Sequence, residues 1–238
     1  DESVIDERIE RILTMMERIK LGDKTRNKGC TNTKDHQQTI QQIAEEGIVL
    51  LKNDTAHLPL SKETKKILVL GDNAKRTHAA GGGSAEIKAL YDISPLLGMR
   101  MVLGGDAQID WLPGYYVDNE KHVAGEVDWQ AESLDVDYTT DRRKEQFDKE
   151  IRPIREKYLK EALDACPSYD EVIFIGGLNH AYDVEGFDRP DMTLPYGQNE
   201  VIEALTEKCK NLTVVLINGG PVEMPWINKA NSLIQTSY

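Results

Sequence analysis

Four short apolar runs limit what this chain can fold into: Ile67-Leu68-Val69-Leu70, Val172-Ile173-Phe174-Ile175, Leu212-Thr213-Val214-Val215-Leu216-Ile217 and the stretch from Leu233 to Thr236. Each is too short for a helix and lacks the polar alternation of a half-exposed strand, so each reads as a strand buried on both faces. The segments between them carry helical spacing. Ile151, Ile154, Tyr158, Leu159, Ala162 and Leu163 mark one helix; Val201, Ile202, Leu205 and Cys209 mark another. A third runs from Ser94 to about Leu103, with Pro95 suited to its first position. Ile40, Ile43, Ala44 and Gly47 mark a helix leading into Ile48-Val49-Leu50-Leu51, and Pro221 precedes a short helix. Helices alternating with buried strands predict an α/β fold, a mostly parallel sheet with helices on both faces.

The flanks differ from this pattern. Val4, Ile5, Ile9, Ile12, Leu13, Met16 and Ile19 form one apolar stripe on an N-terminal helix, and Leu21–Thr33 is polar, aperiodic and linker-like. The chain opens inside a helix and closes on an apolar strand, which is expected of a piece of a longer protein. Its 238 residues carry a net charge of −12. That acidity argues against nucleic acid, whose phosphates need a basic face. No run reaches the length of a membrane span, so no membrane partner is expected. Cys30, Cys166 and Cys209 are odd in number and widely spaced, which suggests free thiols rather than a disulfide framework or a zinc site. Neither a metal nor a cofactor is expected.

Residues Asp106–Lys149 break the rhythm, with Trp111, Tyr115, Tyr116, Trp129, Tyr138 and many acids. Such a long loop is functional or disordered. Trp111 and Tyr116 are expected to pack against the sheet edge, while Trp129 stays open between packing and stacking on a sugar ring. Gly81-Gly82-Gly83-Ser84-Ala85 follows the first buried strand. It lacks the Gly-x-Gly-x-x-Gly spacing and any Gly-Lys-Ser/Thr continuation. On its residues alone it ranks first as a tight turn, then as a sugar contact, then as a phosphate cradle.

The stretch with most chemical promise is Asp183-Val184-Glu185-Gly186-Phe187-Asp188-Arg189, just past the run Val172–Ile175 and its Gly176-Gly177 end. Open α/β sheets place their chemistry beyond the carboxyl ends of the strands. On its residues alone Glu185 is better explained by a surface ion pair with Arg189, which carries little energy; the resemblance given below puts a catalytic role ahead. His180 and Asp183 either assist it or are ordinary loop residues, the second reading being preferred.

Several segments in one order carry a resemblance. Ala44-Glu45-Glu46-Gly47-Ile48-Val49-Leu50-Leu51-Lys52-Asn53 with Leu58-Pro59-Leu60, then Gly81–Ala85 with Ser94-Pro95, then Glu185–Arg189 with Leu194-Pro195 and Gln198, and finally Asn218-Gly219-Gly220-Pro221-Val222-Glu223-Met224-Pro225-Trp226 resemble the second domain of glycoside hydrolase family 3, the β-glucosidase-type enzymes. The resemblance covers about Gln37 to the end and thins between Asp106 and Pro167.

It implies a three-layer α/β/α sandwich over residues 36–238, cut short at its C-terminus. Residues 1–35 would be the terminal helix of a preceding barrel domain plus linker. The implied activity of the whole protein is retaining hydrolysis of terminal β-linked sugars, with a β-linked oligosaccharide or glycoside as substrate and the missing N-terminal barrel as partner. In that chemistry one carboxylate attacks the anomeric carbon and a second protonates the leaving oxygen, then activates water. By position Glu185 resembles the acid/base, Ser84 a sugar contact, and Asp188 and Arg189 supports of the Glu185 loop. The nucleophile is an aspartate of the barrel; Val127-Asp128-Trp129 looks superficially similar but has no apolar strand before it, and reads as a decoy. The chain alone is therefore expected to be inactive. Asp72 stands where the family commonly has a proline. A nucleotide- or flavin-binding domain and a non-catalytic sugar-binding domain are the competing readings. Localisation is open, cytoplasmic or secreted.

Overall fold

The computed structural model describes residues 1–25, 28–79, 87–117, 147–180, 182–183, 189 and 191–237. Glu185, Ser84, Asp188, Asp128 and Trp129, singled out from the sequence, lie outside the described residues. The chain divides into two compact units, Asp1–Gln42 and Ile43–Tyr238.

In the first unit, helix α1 spans Glu2–Arg18. Its N-cap Asp1 accepts a hydrogen bond from the Ser3 N–H, and none of its residues is buried. Helix α2 spans Lys34–Gly47 and crosses the division. Thr33 precedes it and its hydroxyl accepts from the His36 N–H at 3.2 Å, the cap arrangement of a helix start.

The second unit is built on six strands: β1 (Val49–Lys52), β2 (Lys66–Leu70), β3 (Gln108–Leu112), β4 (Glu171–Gly177), β5 (Leu212–Ile217) and β6 (Ser232–Thr236). Their order is β1-β6-β5-β4-β2-β3. All pairings are parallel except β1 with β6, where Val49 faces Gln235 and Lys52 faces Leu233. All four apolar runs are strands, and the central three are the most buried, as a sheet covered on both faces requires.

Residues alternate between two apolar layers. Leu68, Leu70, Val172, Phe174, Leu212, Val214, Leu216 and Leu233 share one cluster with residues of helices α4 (Arg152–Ala165) and α5 (Gln198–Lys208). Ile67, Val69, Ile109, Ile173, Ile175 and Ile217 share the other with Leu96 of helix α3 (Pro95–Leu103). The result is the three-layer α/β/α sandwich. Helix α3 has Ser94 as N-cap, its hydroxyl accepting from the Leu97 N–H, and Pro95 in its first turn.

Two expectations need correction. The stretch after Asp106 begins with a strand, β3, which pairs with β2 over its full length. Apart from Ile109 its residues are exposed or only partly buried, because an edge strand has half its surface open. The helix expected after Pro221 is a series of turns, Ile227 N–H to the Met224 carbonyl at 3.1 Å and Lys229 N–H to the Trp226 carbonyl at 2.9 Å. Trp226 is fully buried there and donates to Asn199 at 2.9 Å, so burying one large side chain shapes this segment.

Candidate active site

The carboxyl ends of β2, β4 and β5 form one rim, and backbone closeness dictates its residues. Gly71 ends β2 with φ +106; a Cβ there would lie 2.1 Å from the Ile175 carbonyl oxygen. Gly177 ends β4 with φ +112; a Cβ there would lie 2.3 Å from the Ile217 carbonyl oxygen. Only glycine satisfies both the conformation and the space.

Three buried amide side chains then fix the path leaving β4. Asn73 donates to the carbonyls of Gly176 and Leu178, both at 2.9 Å. Gln198 accepts from the Gly177 N–H and donates to the Gly177 carbonyl, both at 2.8 Å. Asn218 accepts from the Leu178 N–H at 3.2 Å, which also reaches the Ile217 carbonyl at 2.9 Å. Most buried polar groups are hydrogen-bonded, and these pairings hold the strand exit in place. The Asn179 carbonyl next accepts the N–H groups of Tyr182 and Asp183 at 2.9 and 2.8 Å, making a tight turn.

Residues 184–188 follow, bracketed by two described side chains. Arg189 Nε lies 3.9 Å from Asp183 Oδ1, and its Nη2 donates to the Pro221 carbonyl at 2.9 Å. Arg189 Nη1 is buried without a hydrogen-bond partner among the described residues.

Aromatic and charged groups line the same rim. Tyr115 stacks on Tyr196 at 6.4 Å and touches Phe174 at 5.7 Å; Tyr182 meets Tyr196 edge-on at 5.9 Å. Burial pushes the Tyr115, Tyr196 and Tyr182 phenols up, with the Asp72 charge adding for Tyr115 and Tyr196 and Asp191 for Tyr182. All three stay neutral. Asp72 and Arg76 form an ion pair one helical turn apart. His78 meets His180 edge-on at 5.8 Å. Burial, then the nearby His180 and Arg76, lower the His78 imidazole to about 4. Trp111 donates its indole N–H to the Gly71 carbonyl at 2.9 Å, and Lys75 Nζ sits 3.3 Å over its ring. Tyr116 packs on Tyr158 of α4 at 6.3 Å. Trp111 and Tyr116 are therefore packing residues of the β3 side.

Among the described residues, no group of three or more His, Cys, Asp or Glu side chains is placed to hold a metal ion, and no helix is long and apolar enough to cross a membrane. The described part of the rim offers neutral phenols, amides and a guanidinium.

The family profile described as the glycosyl hydrolase family 3 C-terminal domain matches residues 48–238. This chain belongs to glycoside hydrolase family 3. It is 35% identical to the β-glucosidase BoGH3A of Bacteroides ovatus over 99% of its length, and 31% identical to the thermostable β-glucosidase B of Acetivibrio thermocellus over 98%. It spans only 29% and 26% of those relatives. Among solved structures, the family 3 β-glucosidase of Bifidobacterium adolescentis superposes with a TM-score of 0.63 at 26% identity, over 88% of this chain and 26% of that one. The chain is thus a C-terminal-domain portion of a glycoside hydrolase family 3 protein.

Asn73, Arg76 and His78 did not stand out in the sequence, and Tyr115 did so only as one aromatic of the stretch after Asp106. Asn73 had one usable signal, its place two residues past the glycine that ends a buried strand. The others converge only through the sheet.

Proposed function

We propose that this family 3 domain supplies the general acid/base of a retaining β-glycosidase, β-glucosidase-like in its substrate, and that Glu185 is that residue. Membership of the family, together with the placement of the residues on either side of the 184–188 segment, supports the reading. Asp183 and Arg189 bracket that segment at the carboxyl ends of the strands, where open α/β sheets keep their reactive groups. Glu185 protonates the departing glycosidic oxygen and then, as a carboxylate, takes a proton from the attacking water. Arg189 ties the segment to the Pro221 turn, and Asp188 supports it from within. Ser84 contacts the sugar from the glycine-rich segment after β2. Residues 1–35 are the tail of a barrel domain and its linker, and that barrel holds the nucleophile.

The test is made in the full-length enzyme. Glu185→Ala keeps the fold and loses most turnover on glycosides with basic leaving groups, which need protonation to depart. Activated aryl glycosides keep their first step, and azide, which needs no general base, restores part of the second. Rescue of an Asp183→Ala or Asp188→Ala enzyme, with none for Glu185→Ala, would move the role to that aspartate.

A further inference from the structure

Two connections leave the sheet side by side at the candidate active site. β2 and β4 pair up to Leu70 and Phe174, and beyond them Asn73 donates to the Gly176 and Leu178 carbonyls. The connection after β2 then reaches His78, and the connection after β4 reaches His180. Their rings meet edge-on, with centroids 5.8 Å apart and planes at 64°. Both residues are half-buried, and their ring nitrogens are shielded from solvent.

Core packing does not call for this pair. Neither histidine belongs to the two apolar layers of the sandwich, and Thr77 and Ala79, on either side of His78, are exposed. What the contact joins is two stretches of chain. The glycine-rich segment begins at Gly81, three residues after His78, and Glu185 lies five residues after His180. Three to five residues span at most about 10–18 Å, so fixing the two rings restricts where both segments can lie. We propose, resting on the reading of Glu185 as acid/base and Ser84 as sugar contact, that His78 and His180 are positioning residues whose ring contact clasps the two connections together and sets the spacing of the two segments for glycoside cleavage.

An edge-on pair of aromatic rings has a preferred geometry, one ring turning its positive edge to the other's face. The contact therefore holds a distance as well as filling space. His78 keeps this character because it is uncharged at neutral pH: burial, then the neighbouring His180 and Arg76, lower its imidazole to about 4. Arg76 is itself ion-paired with Asp72. Substrate can bind through the sugar contact while the acid is displaced, whereas bond cleavage needs both groups in register. A slack clasp therefore lowers kcat more than it raises KM. The deficit is largest where the leaving oxygen needs a proton, since Glu185 must then reach it.

The test is a double-mutant cycle in the full-length enzyme. His78→Ala, His180→Ala and the double variant are assayed at a temperature where circular dichroism shows all of them folded. Each single variant should lose about ten- to a hundredfold in kcat on an alkyl β-glucoside, much less on an activated aryl β-glucoside, and should change KM little. The double variant should lose no more than the worse single, because one missing ring already opens the clasp. Glutamine at either position, which keeps bulk without a ring, should behave as alanine does. Losses that multiply in the double variant, losses equal on the two substrates, no loss at all, or full turnover with glutamine would overturn the proposal. Glu185→Ala tests the underlying reading separately. Alkyl-glucoside turnover that survives it removes Glu185 from the acid/base role, whereas a full Glu185→Ala defect with uncoupled histidines overturns the clasp alone.

Discussion

Asn73 spends its side-chain amide on two backbone carbonyls at the end of β4, those of Gly176 and Leu178. Asn73→Ala would remove both buried hydrogen bonds. The expected cost is about 1–3 kcal/mol, from roughly 0.5–1.5 kcal/mol per hydrogen bond, read from urea unfolding midpoints. His78 predicts a pH dependence. Its folded value lies near 4 against 6.5 for an unperturbed imidazole. Between those values the unfolded chain holds a proton that the folded chain lacks, so stability falls as pH falls through this window and is level above it. Because the imidazole is partly open to solvent, the loss between pH 7 and pH 5 is expected to be only about 1 kcal/mol. In His78→Gln that part of the slope should vanish from denaturation curves taken at the two pH values.

At the level of elements, strands with two neighbours should outlast those with one. β4 and β5 are almost wholly buried and paired on both sides, whereas β1 is largely exposed and bonds only to β6. Hydrogen exchange should protect the amides of Val172–Ile175 and Val214–Leu216 to the global limit and release those of Val49–Leu51 well before it. Equal protection would mean that β1 unfolds only with the whole sheet. The same contrast explains what the sequence revealed. Central strands read as unbroken apolar runs because both their faces meet helices. Gln108-Ile109-Asp110-Trp111-Leu112 alternates instead, as an edge strand does, and beside a long acidic stretch that alternation was lost. The turns around Trp226 carry helix-like spacing, yet a single buried indole set their course, which no local pattern encodes. The glycine-rich and Glu185 segments are visible as motifs in the sequence. The amides of Asn73, Gln198 and Asn218 were not legible as a group, since only the tertiary fold makes them partners.

For the molecule as a whole, the expected outcome is a folded domain that does not turn over. The purified chain should give no hydrolysis of aryl β-glucosides, because retention needs a second carboxylate as nucleophile and the proposal assigns that group to a barrel outside this chain. Turnover that disappears with Asp128→Asn would show instead that the Val127-Asp128-Trp129 segment supplies it. Thermal shift with glucose, ATP and FMN gives an independent check, since a ligand that binds only the folded state raises the midpoint; a response to ATP or FMN alone would contradict the sugar reading. The reversed direction of β1 also has a practical side. Val49 faces Gln235, near the carboxyl end of β6, so the backbone joins the sheet at the rim that carries Gly71, Gly177 and Asn218. A parallel first strand would have joined it at the far edge, about 13 Å away at 3.3 Å per residue over four residues. A protein engineer who grafts a new module ahead of Val49 would therefore deliver it beside the candidate active site. The same module inserted at the turn before β4 or β5 would emerge at the opposite rim.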